Sequence, residues 1–151
     1  MNSILNDFDK RVVSCRKCSR LVKYAAETKK YNKNNEFINE TYWCKPVPSF
    51  GSLDSNLLIV GLAPGKHGAG RTGRPFTGDF AGEILYKALY ESGLSNIEKS
   101  ISKSDELKLK KVRISNAVRC APPQNKPNND EITNCRPFLI EEIRMMTKLK
   151  Y

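Results

Sequence analysis

The sequence predicts an α/β fold built on a parallel sheet, and three observations carry that reading. Residues 57–60 (LLIV) form a fully apolar run stopped by Gly61, the pattern of a strand buried on both faces. Residues 112–118 (VRISNAV) read as a second strand. Between them, residues 81–90 (AGEILYKALY) carry apolar groups at helical spacing, with Gly93 placed to end that helix. Strand, helix and strand in that order form the unit from which parallel sheets are built.

The remaining segments follow in chain order. Leu5, Phe8, Val12, Leu21 and Tyr24 recur at helical spacing, interrupted by Cys15-Arg-Lys-Cys18, so two short helices flank a cysteine loop. Residues 27–40 are polar and rich in Asn and Lys, which reads as a loop or weak helix. Residues 43–53 hold two prolines and a glycine, the composition of ordered irregular chain. Residues 61–79 form a Gly-rich loop, 95–111 a charged excursion, and 122–127 a turn. A last helix starts near Asp130, with Asn129 or Asp130 as its N-cap. Only two strands stand out, too few for an independent parallel core. Residues 1–151 therefore read as a single partial domain, the front part of a larger one, with a separate C-terminal half as a candidate partner.

The chain has 151 residues, long enough for one domain with a sizeable core. No run of about 18 apolar residues exists, which excludes a membrane-spanning helix. The first residues lack the apolar stretch of a secretory signal. Twenty-six basic against 16 acidic residues give a formal charge of +10, which favours polyanions, nucleic acid first, as partners.

Five cysteines in a reducing compartment point to metal or catalysis rather than disulfides. Cys15 and Cys18 are spaced to reach one metal centre from a single turn, and Cys120 and Cys135 can join only through tertiary folding. Zinc ribbons usually show two tight pairs, so this wide set favours an iron–sulfur cluster over zinc without deciding between them. Cys44 reads as a packed thiol.

The loop 61–79 (GLAPGKHGAGRTGRPFTGD) matches neither a P-loop nor a dinucleotide fingerprint in context: His67 stands where the P-loop needs Ser or Thr, and Pro75 where a helix should open. What remains is a Gly-rich loop leaving the C-terminal end of a strand, where open α/β sheets bind ligands. It offers Lys66, Arg71 and Arg74 for anions, Phe76 for stacking and one carboxylate, Asp79. His67, the only histidine, reads as a loop residue. Asn116, near the end of the second strand, carries an amide able to pair with an imide edge such as that of uracil.

These motifs together, GLAPG…GRTGRPFTGD, NAVRCAPP-x-N-x-P and the four-cysteine spacing, resemble the iron–sulfur uracil-DNA glycosylases. The branch they resemble most is family 5, type B, because Leu62 stands where family 4 carries an acidic residue. The resemblance implies an α/β/α sandwich around a parallel sheet and a [4Fe–4S] cluster on Cys15, Cys18, Cys120 and Cys135. It implies a uracil pocket shaped by Leu62, Ala63, Pro64 and Gly65, with Phe76 stacking on the flipped base and Asn116 reading its edge. It implies Asp79 as the catalytic carboxylate and Lys66, Arg71 and Arg74 as DNA contacts. The implied function is removal of uracil from DNA in a prokaryotic cytoplasm, by a monomer. The family's second, His-containing motif has no match here, so weak or absent activity is expected of this chain alone. A non-catalytic iron–sulfur nucleic-acid-binding remnant and a zinc-stabilised binding module remain the alternative readings.

Overall fold

A computed structural model describes residues 2–31 and 33–151. Helices α1 (Asn2–Ser14) and α2 (Ser19–Lys30) precede strand β1 (Leu57–Gly61). Helices α3 (Ala69–Thr72) and α4 (Phe80–Glu91) follow, then β2 (Val112–Asn116) and α5 (Asn129–Met145). The two strands pair in parallel, with Leu57 opposite Val112 and Gly61 opposite Asn116. Both strands therefore end at the same rim of the sheet, and both sequence motifs leave from it.

Strand alternation divides the packing. Val112 and Ile114 point into one apolar cluster with Tyr86 and Leu89 of α4 and with Leu107, joined by Leu57, Ile59 and Phe76. Arg113 and Ser115 point the other way, toward α5. There Glu142 accepts from Arg113 Nε at 2.6 Å, Arg119 Nη2 at 2.7 Å and Ser115 Oγ at 2.8 Å. All four side chains are fully buried. Burial alone would push the Glu142 carboxyl up, but the guanidiniums of Arg119 and Arg113 outweigh it and hold the carboxyl below its usual range. A second apolar cluster, Leu21, Val118 and Cys135 with Cys18, Ala63, Cys120, Ile132 and Phe138, joins α2 and α5 to the strand ends. Helix α1 docks on α5 through an edge-to-face contact of Phe8 with Phe138 and an Arg11–Glu141 pair at 2.9 Å.

At the far edge of β1, Leu58 N–H donates to the Tyr151 carbonyl (2.9 Å) and Tyr151 N–H to that of Asn56 (3.0 Å). Among the described residues, no helix is long and apolar enough to cross a membrane.

Three expectations need correction. Strand β1 is half-buried rather than buried on both faces, with Val60 exposed. The last helix is capped by Asn128, one residue before the candidates read from sequence. Asn128 Oδ1 accepts from Glu131 N–H, and Glu131 Oε2 accepts from Asn128 N–H, a reciprocal box that neither Asn129 nor Asp130 can form. The loop 61–79 also contains the short helix α3, closed by Gly73 in the left-handed region at φ 77°.

Candidate active site

The parallel register sets Gly61 beside Asn116, and the turn after Gly61 brings in the rest. A Cβ on Gly61 would lie 2.5 Å from Asn116 Oδ1 and 2.7 Å from the Phe76 ring, so only glycine allows the amide and the ring to share this corner. Asn116 is buried, and its amide makes no hydrogen bond among the described residues. Phe76 sits in the left-handed region at φ 52°, a conformation that costs energy for a bulky residue and needs outside support. Support comes from both sides: the Tyr86 hydroxyl and Thr77 Oγ1 donate to the Pro75 carbonyl at 2.8 and 3.1 Å.

Asp79 closes the Gly-rich loop and stands at the N-cap of α4. Its Oδ1 accepts from Gly82 N–H at 2.9 Å and so caps that helix. Its Oδ2 lies against Gly68, in the space a side chain there would fill, and 3.2 Å from where a Cβ on Gly65 would stand. The carboxylate lines an open cavity of about 330 Å³ with Tyr24, Gly65, Lys66, His67, Gln124 and Asn125. Gln124 and Asn125 are both held at positive φ (55° and 56°), a second strained segment at this rim.

The turn of 62–65 divides its side chains. Leu62 is exposed, while Ala63 packs toward the cysteines and Pro64 is buried. Of the four, Gly65 alone lines the Asp79 cavity.

Two of the three candidate DNA cations are engaged internally. Arg71 pairs with Glu40 at 2.7 Å, donates from Nε to the His67 carbonyl and stacks on Phe37 at 3.8 Å. Arg74 is buried, pairs with Asp105 at 2.7 Å, donates to Ser100 and stacks on Phe50 at 4.4 Å. Both guanidiniums hold the loop to neighbouring segments of the fold. Lys66 borders the cavity and forms no ion pair among the described residues.

Cys15, Cys18, Cys120 and Cys135 line one cavity between α1, α2 and α5, and none is in a disulfide. Among the described residues, no three Cys, His, Asp or Glu side chains form a compact metal-holding group. Burial first, then Cys135, Cys15 and Cys18, push the Cys120 thiol up to about 12. Two N–H groups point at sulfur: Arg119 N–H donates to Cys135 Sγ at 3.3 Å and Asn134 Nδ2 to Cys18 Sγ at 3.7 Å. Cys44 lies outside this cavity, in the neighbouring groove with Lys29, Lys45 and Lys66.

Sequence reasoning gave no role to Tyr24, Tyr42 or Gln124. It marked Gln124 and Asn125 only as part of the turn 122–127 and of the motif NAVRCAPP-x-N-x-P. Tyr42 had no such signal, because it meets His67 only through the fold.

The family model of the uracil DNA glycosylase superfamily matches residues 48–150. The type-5 uracil-DNA glycosylase of Pyrobaculum aerophilum is 44% identical over 138 residues, 91% of this chain and 60% of that protein. That of Thermus thermophilus is 42% identical over 143 residues, 95% of this chain and 64% of that protein. The type-4 uracil-DNA glycosylase of Pyrobaculum aerophilum is more distant, 37% identical over 101 residues, 66% of this chain and 44% of that protein. The chain spans about three-fifths of the length of the type-5 relatives from Pyrobaculum and Thermus.

Proposed function

The chain belongs to the uracil DNA glycosylase superfamily, and from that premise we propose that it removes uracil from DNA by hydrolysing the N-glycosidic bond. The observation that carries the reading is the convergence of Phe76 and Asn116 on Gly61 at the strand ends, with Asp79 closing the loop that leaves Gly61. A base inside a duplex must leave the stack before its C1′–N1 bond can be reached. Phe76 offers a ring to stack on, and Asn116 an amide with no protein partner to read the O4 and N3–H edge. As the bond breaks, the base gains negative charge and the sugar gains positive charge. A carboxylate fixed near the sugar stabilises that charge as it develops. Lys66 supplies a phosphate contact, in keeping with the +10 charge.

Cys15, Cys18, Cys120 and Cys135 would hold the [4Fe–4S] cluster. Four free thiols around one cavity, with N–H donors aimed at two of them, suit such a group. A single zinc ion bonds sulfur at about 2.3 Å and draws its ligands into a compact group. The cluster would be structural, tying the α1–α2 loop to Cys120 and to α5. Purified without oxygen, the protein should carry about four irons per chain. Cys15→Ser and Cys135→Ser should each lose iron and thermal stability, and Cys44→Ser should keep both. Stoichiometric zinc with no iron would select the zinc-stabilised module.

The test of the function is release of free uracil from an oligonucleotide carrying one deoxyuridine. DNA binding without release would favour the non-catalytic remnant.

A further inference from the structure

The only histidine in the sequence lies in the cavity with Asp79, and a buried tyrosine fixes one side of its ring. Tyr42 is 1% exposed, and its hydroxyl stands 2.8 Å from His67 Nδ1. The same hydroxyl oxygen already accepts from Asn34 N–H at 3.2 Å. A buried phenol needs an acceptor for its own hydrogen, and Nδ1 is the acceptor the fold supplies. Tyr42 therefore donates to Nδ1, and the proton of the neutral ring sits on Nε2. The ring planes meet edge to face at 83°, which adds a second constraint on the imidazole. Burial, then the charges of Lys66 and Arg71, hold His67 below its usual pKa, so the ring stays neutral. Nε2 makes no hydrogen bond among the described residues, and His67 borders the Asp79 cavity.

We propose that His67 presents Nε2–H to the water that attacks the sugar, and that His67 and Asp79 hold this water between them. A carboxylate accepts and a neutral imidazole N–H donates. Water satisfies both at once, whereas a phosphate oxygen has no hydrogen for Asp79 and is repelled by it. The water donates one hydrogen to Asp79, accepts from His67 and keeps a lone pair for C1′. Its oxygen bonds to C1′ as the C1′–N1 bond breaks, and the electron pair leaves with the base. The water proton passes to Asp79 and from there to solvent, which returns one to the base. Tyr42 is a positioning residue, acting only through the tautomer of His67. This inference rests on the reading of Asp79 as the catalytic carboxylate.

A single histidine makes the test direct, because its imidazole nitrogens need no assignment in a ¹⁵N-labelled sample. Wild type should show the Nε2–H tautomer, and Tyr42→Phe a mixture of both. His67→Ala should lower the excision rate about tenfold, the worth of one neutral hydrogen bond. His67→Gln, which keeps an N–H near the Nε2 position, should recover most of it with KM unchanged. An Nδ1–H tautomer in wild type overturns the proposal, as does wild-type excision by His67→Ala. If no protein excises uracil, the unmatched second motif accounts for it, and excision rates no longer bear on His67. The donor role is then decided by adding a deoxyuridine oligonucleotide: a moved Nε2 resonance supports it, and an unmoved one overturns it.

Discussion

Asp79→Asn should lower the rate of uracil excision by about a hundred- to a thousand-fold, the usual worth of one preorganised group aimed at transition-state charge. DNA affinity should change little, because that charge is absent from the bound ground state. The substitution is a clean one for a structural reason. Asp79 Oδ1 caps α4 through Gly82 N–H, and asparagine caps a helix as well as aspartate does. The helix start survives while the charge facing Gly65 and Gly68 is removed. Asp79→Ala would lose both cap and charge and could not separate them. Full excision by Asp79→Asn would move the catalytic role elsewhere, to water held by backbone groups of the turn 62–65.

Glu142→Gln should cost about 3–5 kcal/mol of folding stability, the range for breaking a buried ion pair by removing one partner. That is a large part of the total for a small domain. Arg113 and Arg119 are both fully buried, and Glu142 accepts from both. A neutral amide would leave two guanidiniums without the carboxylate that accepts from both. The same group sets an acid limit. Its carboxyl is held below the usual range in the folded chain, so its contribution is fully present above the unfolded value and is lost as pH falls through the folded one. Asp9, near both arginines, behaves oppositely: burial raises its pKa, so it opposes folding once it ionises as pH rises. Denaturant melts of wild type and Glu142→Gln at neutral and acid pH check this. The gap between the two proteins should narrow as pH falls, and a pH-independent gap would contradict the account.

The first strand was legible because LLIV is an apolar run stopped by glycine, the second because VRIS alternates apolar and polar residues, and the α4 helix because its apolar spacing is regular. The spacing of Cys15 and Cys18 marked a thiol site, and the fold brings Cys120 and Cys135 into the same cavity. What stayed hidden depends on partners distant in sequence. Arg71 and Arg74 look free in a Gly-rich loop, yet Glu40 with Phe37 and Asp105 with Phe50 occupy them. Nothing in the sequence marks Glu142 as buried, because its partner Arg113 is turned toward it only by the alternation of β2. His67 had no visible partner because Tyr42 lies 25 residues away, across a polar segment with no periodicity to place it.

The central claim is that Asn116 and Phe76 read a flipped uracil beside the Asp79 carboxylate. Its most direct test is free uracil released from an oligonucleotide with a single deoxyuridine, compared between wild type and Asn116→Ala under single-turnover conditions. The account predicts release of uracil with an abasic site left behind, and a rate lowered about tenfold or more in Asn116→Ala, since the base edge loses its amide partner. Equal rates in the two proteins would contradict it.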